Sequence, residues 1–173
     1  MTKTKLAALA LALTTGLCNV ASAYAQDTAP AAEQAAPQST APNWLVTCSN
    51  QMDAAKLSCS MSQSVVLAAN GARLMTAVVE PTDGGQELTL VLPFGLDLQA
   101  GVQMVIDEVD WQKLPVSTCE AGACYSSIAL DADALSRLSK GNALDVKLIN
   151  RQGEEVVLSL TLTGFTGSLE LMN

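Results

Sequence analysis

Histidine is absent from all 173 residues. Its absence excludes Ser-His-Asp and Cys-His catalysis, imidazole metal ligation and the side chain best suited to moving protons near neutral pH. Aromatic residues are only 3% of the chain, which leaves little material for a sugar-stacking platform. Beyond Pro42 they are Trp44, Phe94, Trp111, Tyr125 and Phe165. Basic residues are also few, nine against seventeen acidic ones. A chain of that sign repels nucleic-acid phosphates and anionic lipid, and it has no basic cluster to act locally against that field. A thioredoxin-like Cys-x-x-Cys pair is missing. No phosphate-cradling loop occurs either, because Asp83-Gly84-Gly85 runs into a strand pattern with no Lys-Ser or Lys-Thr pair to close it. We therefore expect no catalytic residues, no cofactor and no metal.

What is present begins with an export signal. Met1 to Lys5 carries two lysines, and Leu6 to Val20 is apolar but too short for a stable membrane span. Small residues at Ala21-Ser22-Ala23 and Ala23-Tyr24-Ala25 fit signal-peptidase cleavage, and the second site, before Gln26, is preferred. Leu17 precedes Cys18 where lipid attachment wants a small residue, so a plain signal peptide over residues 1–25 is expected. Its removal takes the basic count from nine to seven and the formal charge from −8 to −10. Residues 26–41 are rich in Ala, Pro, Gln and Thr and read as a flexible tail. Residues 42–173 are one domain, with no further apolar run long enough to span a membrane.

Four cysteines remain in the exported chain, and an even count in an oxidising compartment reads first as disulfides. Proximity favours Cys48 with Cys59 and Cys119 with Cys124 among the three possible pairings. Loop closure by these bridges contributes about 3 and about 2 kcal/mol in the chain-entropy model. The rival Cys₄ zinc site is disfavoured because C-x₁₀-C and C-x₄-C are looser than the usual knuckle spacings.

Period-two alternation dominates the domain. It marks strands at Trp44–Cys48, at Leu57–Val66 with Leu57, Cys59 and Met61 on one face, and at Leu88–Leu92, while Arg73–Val79, apolar on both faces, reads as a central strand forming a hairpin with Leu88–Leu92. Further strands are Val102–Ile106, an edge strand Gln112–Val116 interrupted by Pro115, and Tyr125–Leu130. Leu144–Leu148 and Val156–Leu162 make a second hairpin around Asn150–Gly153. Asp107 to Asp110, with Trp111, reads as a polar connection. Asp131 to Gly141 breaks the period and carries helix punctuation: Asp131 as N-cap, Lys140 near the negative end, and Gly141 as a left-handed terminator. These elements predict an all-β, antiparallel, disulfide-bonded β-sandwich or partly closed barrel of about eight or nine strands with one short helix.

Clustered acids at Asp107, Glu108 and Asp110, Asp131 with Asp133, and Glu154 with Glu155 invite a glycosidase or calcium reading. Simpler roles fit each of them: a solvated turn, a helix start and a strand opening. The EF-hand spacing is not met. Trp44 and Trp111 read more readily as core cover than as exposed anchors.

Taken in order, Trp44-x-x-x-Cys48, Cys59-x-Met61-x-Gln63, Leu92-Pro93-x-Gly95, Leu98-x-x-Gly101-Val102, Cys119 to Cys124 and Leu162-x-Gly164-Phe165 resemble the invasion-associated locus B family of exported bacterial proteins. One departure is visible, in that Ala123 separates Gly122 from Cys124. The resemblance implies a periplasmic or surface-exposed β-rich protein, and in its founding members an association with entry into host cells. Combined with the missing catalytic side chains, it predicts a non-enzymatic envelope protein, periplasmic, outer-surface or secreted. Its partner would be an envelope or host protein. The residues expected at that contact are Pro93, Phe94, Asp107, Asp110 and Trp111, on the loops Pro93–Gly101 and Asp107–Lys113. The alternatives are a small envelope hydrolase using a carboxylate pair, or a periplasmic inhibitor or chaperone. Mass spectrometry of protein purified from its native host's envelope is expected to find Gln26 at the N-terminus, and an intact Met1 would contradict export.

Overall fold

Strands with one apolar face must bury it against another layer, and here two antiparallel sheets do so. The computed structural model describes residues 37–39, 44–50 and 57–172, and these belong to one compact unit, Gln34–Asn173. The larger sheet comprises β1 (Pro37–Ser39), β2 (Leu45–Ser49), β3 (Ser58–Leu67), β4 (Arg73–Thr82), β5 (Gly85–Leu92), β8 (Thr118–Glu120) and β9 (Ala123–Leu130). Its order is β1-β3-β4-β5-β9-β8, and β2 pairs with β3. The smaller sheet has the order β11-β10-β6-β7, built from β6 (Val102–Ile106), β7 (Val109–Leu114), β10 (Ala143–Ile149) and β11 (Glu155–Thr161). Helices α1 (Ala132–Lys140) and α2 (Phe165–Glu170) complete the described elements. The two sheets do not close into a barrel, so of the two expected architectures the sandwich is the one formed.

The alternation seen in the sequence is the alternation that is buried. Met61 and Val65 on β3, Met75, Ala77 and Val79 on β4, and Leu88, Leu90 and Leu92 on β5 point inward. Met104, Val146, Leu158 and Leu160 of the smaller sheet belong to the same core cluster. Each such side chain contributes about 1.5–3 kcal/mol when fully buried.

Three polar side chains are buried with them, and each crosses between elements. Gln63, 1% exposed, treats the main chain of Thr161 as a strand partner. Its Oε1 accepts the Thr161 N–H at 2.8 Å and its Nε2 donates to the Thr161 carbonyl at 3.2 Å, tying β3 to the edge strand of the other sheet. The Trp44 indole N–H donates to the same carbonyl at 3.0 Å, and the Trp44 ring meets Phe165 edge-on at 5.2 Å. Ser168 on α2 donates to the Trp44 carbonyl at 3.0 Å. On the opposite side, Ser126 of β9 donates to the Pro115 carbonyl at 2.8 Å, where the chain passes from the smaller sheet to the larger. Both lateral seams of the sandwich are thus fastened by side chains bonded to main chain.

Several expectations change on folding. β1 lies within the expected flexible tail: pairing along the edge of β3 uses main-chain groups, which composition does not report. The expected signal peptide lies outside the described residues. Leu57 is 67% exposed and precedes β3, so the buried face runs through Met61, Gln63 and Val65 instead. β8 and α2 raise the described count to eleven strands and two helices. Gly141 is extended rather than left-handed, with φ −74° and ψ 163°. Glycine is needed there for room, because a Cβ would stand 2.7 Å from Leu162 Cδ1 and 2.8 Å from Ile106 Cγ2. Asp131 caps α1 as expected, accepting from the Ala134 N–H at 2.8 Å.

Replacing Gln63 by Ala leaves the buried Thr161 N–H without its partner and opens a cavity beside Trp44. Urea unfolding of Gln63→Ala is expected to show a loss of about 3 kcal/mol.

Candidate functional site

The five residues expected at a partner contact do not converge. Pro93 and Phe94 stand at one end of the sandwich and Asp107 at the other, separated by the length of β6. That is about 17 Å for five strand residues. Asp110 and Trp111 lie on β7 rather than in a polar connection. The connection is only the Asp107–Glu108 turn between Ile106 and Val109, both turn residues having positive φ (48° and 68°). Trp111 sits where the β6–β7 register slips, half-buried against the core, which is the role expected of a tryptophan in so aromatic-poor a chain.

Asp107 has a structural task. Its carboxylate accepts from the Asn142 N–H at 3.0 Å, from the Ala143 N–H at 2.9 Å and from Asn142 Nδ2 at 3.2 Å. It thereby pins the β6–β7 turn to the segment joining α1 to β10. Those donors, the Ala143 and Asn142 N–H groups foremost, hold its carboxyl below the ordinary carboxylate range. Asp107 and Glu108 form the expected exposed turn, and the Asp107 carboxylate is in addition a clip across it.

The other end is built differently. The segment from Pro93 to Gly101 carries the chain from β5 to β6 and is fastened to the β10–β11 hairpin by one antiparallel bridge, Leu96 to Asn150. Its two main-chain hydrogen bonds run from the Asp97 N–H to the Ile149 carbonyl at 2.8 Å and from the Arg151 N–H to the Gly95 carbonyl at 3.0 Å. Asp97 Oδ1 accepts from the Gln99 and Ala100 N–H groups at 2.9 and 3.4 Å, closing the turn from within. At Gly101 the backbone has φ +70° and a Cβ would lie 2.6 Å from the Leu114 carbonyl oxygen, so only glycine fits. This braced loop leaves Phe94 59% and Leu98 49% exposed. Leu98 was not among the residues expected at the contact, although its sequence signal is readable: an apolar side chain outside any strand period, between Pro93 and Gly101.

A second concavity of about 530 Å³ opens between β2, β3 and the β4–β5 turn, lined by Thr47, Ser60, Glu80, Asp83 and Met172 among others. Among the described residues, no group of three His, Cys, Asp or Glu is placed to hold a metal ion.

Both disulfides join directly opposed residues of neighbouring strands, Cys48 to Cys59 across β2 and β3 and Cys119 to Cys124 across β8 and β9. The favoured pairing is therefore the one formed. Glu120 and Ala123 pair across the two-residue turn Ala121-Gly122, which places the bridge immediately behind it. Ala123 is thus a strand residue, and the glycine that departs from the resemblance occupies the turn itself.

The family model described as invasion associated locus B protein matches residues 44–173, three-quarters of the chain. The chain belongs to the invasion associated locus B family. Invasion protein B homologs of Brucella abortus strain 2308 and of B. abortus biovar 1 strain 9-941 are each 31% identical over 135 residues, covering 77% of this chain and 77% of theirs. The crystal structure of invasion associated protein b from Bartonella henselae superimposes with a TM-score of 0.65 at 21% identity, covering 75% of this chain and 89% of that one. The shared fold is the two-sheet sandwich. Trp44, Gln63 and Phe165, which carry the resemblance in sequence, meet here around Thr161 as a structural clasp. In this member of the family they mark the fold, whereas Phe94 and Leu98 are free to mark a contact.

The sign of the pH effect at Asp107 follows from its depressed pKa. Its contribution is fully present above the ordinary carboxylate range and is lost as pH falls through the folded-state value. Asp107→Asn is expected to melt below the parent protein at pH 7, with the gap closing as both are acidified towards about pH 3. A gap that stays constant with pH in thermal melts would refute this account of the turn.

Proposed function

We propose that this protein is an exported, non-enzymatic module of the cell envelope that binds a protein partner through the Phe94–Leu98 end of its sandwich. The observation that carries the reading is the pair of exposed apolar side chains, Phe94 and Leu98, on a loop braced by two main-chain hydrogen bonds to the β10–β11 hairpin. A contact presented on a braced loop loses little conformational entropy on binding, and an exposed aromatic is the usual anchor of such a surface. Two formed disulfides support an oxidising, extracytoplasmic location, and relatives named as invasion proteins support a place in the envelope. The periplasm is the compartment proposed.

The carboxylate-pair hydrolase loses its best candidate, since Asp107 is committed to Asn142 and Ala143. The buried polar side chains Gln63, Ser126 and Ser168 are each bonded to main chain across the fold.

A photo-crosslinking amino acid placed at Leu98 in the native host is expected to yield a discrete adduct with one envelope protein. The adduct should fall at least about tenfold when Phe94 is also changed to Ala, the effect of losing a single aromatic anchor. The same probe at Val157, exposed on the smaller sheet, is the control. Equal labelling from both positions, or none from Leu98, would remove the proposal.

A further inference from the structure

Among the described residues, nothing covers the outer face of the larger sheet, and that face carries almost no charge. Neither helix lies over it, since Ala134, Leu138 and Phe165 are buried in the core between the sheets. By register, Val78 and Thr89 stand side by side facing outward, and in the next row Thr76 and Val91 do the same. Ser64 extends one row across β3 and Ser127 extends the other across β9. In a chain of net charge −8, no ionised side chain interrupts these two central rows.

Four hydroxyls at the centre of that face are already paired with one another. Ser64 and Thr76 share a hydrogen bond of 2.8 Å, and Thr89 and Ser127 share one of 2.9 Å. A hydroxyl that keeps a partner when water leaves loses much less on burial than one that does not. The face is polar by composition but inexpensive to dry. That distinguishes it from the opposite outer face, where Asp145, Lys147 and Glu155 project.

Charge appears only towards the ends. Glu80 and Glu87 are directly opposed across β4 and β5, a repulsive arrangement. Among the described residues neither has an ion-pair partner, and neither does the exposed Arg73 at the other end of β4. Stacking a second sheet with its rows reversed brings the two carboxylates of one copy towards Arg73 of the other, and does so twice. Stacking with the rows in parallel would oppose four carboxylates.

We infer that this face is a self-association surface on which a second copy of the chain stacks its own outer sheet face, about a two-fold axis running across the strands in the plane of contact. The symmetry is isologous and closes at two copies. The path through the sheet is six strands wide, and at about 4.8 Å per strand and seven residues of strand length the footprint is on the order of 600 Å² per copy. The pair then buries about 1,200 Å², the lower limit for a specific interface, which fits a reversible dimer of moderate affinity. The Phe94–Leu98 end lies at the end of the sandwich, so the dimer would present two such ends, and neither inference depends on the other.

Sedimentation of the full exported chain over a concentration series tests this directly. A monomer–dimer equilibrium is expected, with Val78→Lys raising the dissociation constant at least about thirtyfold because it places an unpaired ammonium at the centre of the contact. Val157→Lys, on the other sheet's outer face, should change it less than about twofold. Far-UV circular dichroism and a mass consistent with both disulfides verify that each variant is folded. The charge-reversed singles Glu80→Arg and Arg73→Glu should each weaken association, and the double variant should recover it. A protein monomeric at every concentration, or a dimer indifferent to both Val78→Lys and the charge reversals, would overturn the assignment.

Discussion

The sandwich depends on one amide. Gln63 occupies an inward position of β3 where alternation calls for an apolar side chain, and it gives both its oxygen and its nitrogen to the main chain of Thr161. Two sheets packed through Leu, Val and Met alone would have no directional bond to fix their offset, because dispersion and solvent exclusion are nearly indifferent to small slides. A buried amide bonded to one peptide unit is not indifferent: moving β11 by one residue would leave its donor and acceptor unmatched, at a cost of several kcal/mol. Trp44 reinforces the clasp from β2's side, and Phe165 and Ser168 hold Trp44 in turn. These contacts span sequence separations of about a hundred residues, so they bring the two termini of the domain together.

The strand edges show how such a sheet-rich chain avoids uncontrolled pairing. β11's outer edge is engaged at Thr161 by Gln63 and Trp44. β7, the far edge of the smaller sheet, is bent by a register slip at Trp111, carries Lys113 and stops before Pro115. β8 is three residues long and stapled to β9 by Cys119–Cys124, while β2 is stapled to β3 by Cys48–Cys59. Both bridges therefore hold short outer strands in register, where the fewest side chains are buried to do so. The proposed contacts accordingly use an end loop and a broad face rather than open edges.

Division of labour between the two ends follows from connectivity. At one end α1 and α2 pack together and Asp107 ties the β6–β7 turn to the segment after α1, so that end is closed by internal contacts. At the other end the long β5–β6 connection has main-chain anchors to the β10–β11 hairpin, and it leaves Phe94 and Leu98 outward while Leu96 packs against the core. Of the residues carrying the family pattern, Trp44, Gln63 and Phe165 build the clasp, while Pro93, Gly95, Leu98 and Gly101 shape the open end.

Local pattern alone determined a good deal: the strand faces of Leu88–Leu92 and Leu144–Leu162, the Asp131 cap and the disulfide partners all follow from period, punctuation and proximity, which act over a few residues. It also carried the family pattern, and it excluded histidine chemistry outright. Tertiary structure decided the rest. β1 and β8 form because neighbouring strands offer main-chain partners. Gly141 is extended because Ile106 and Leu162 crowd it, and Asp107 is a clip because Asn142 arrives from 35 residues away. Which of the expected contact residues stay exposed together was likewise settled in three dimensions: a residue's period states which way it points, while its accessibility depends on what distant chain lies there to meet it.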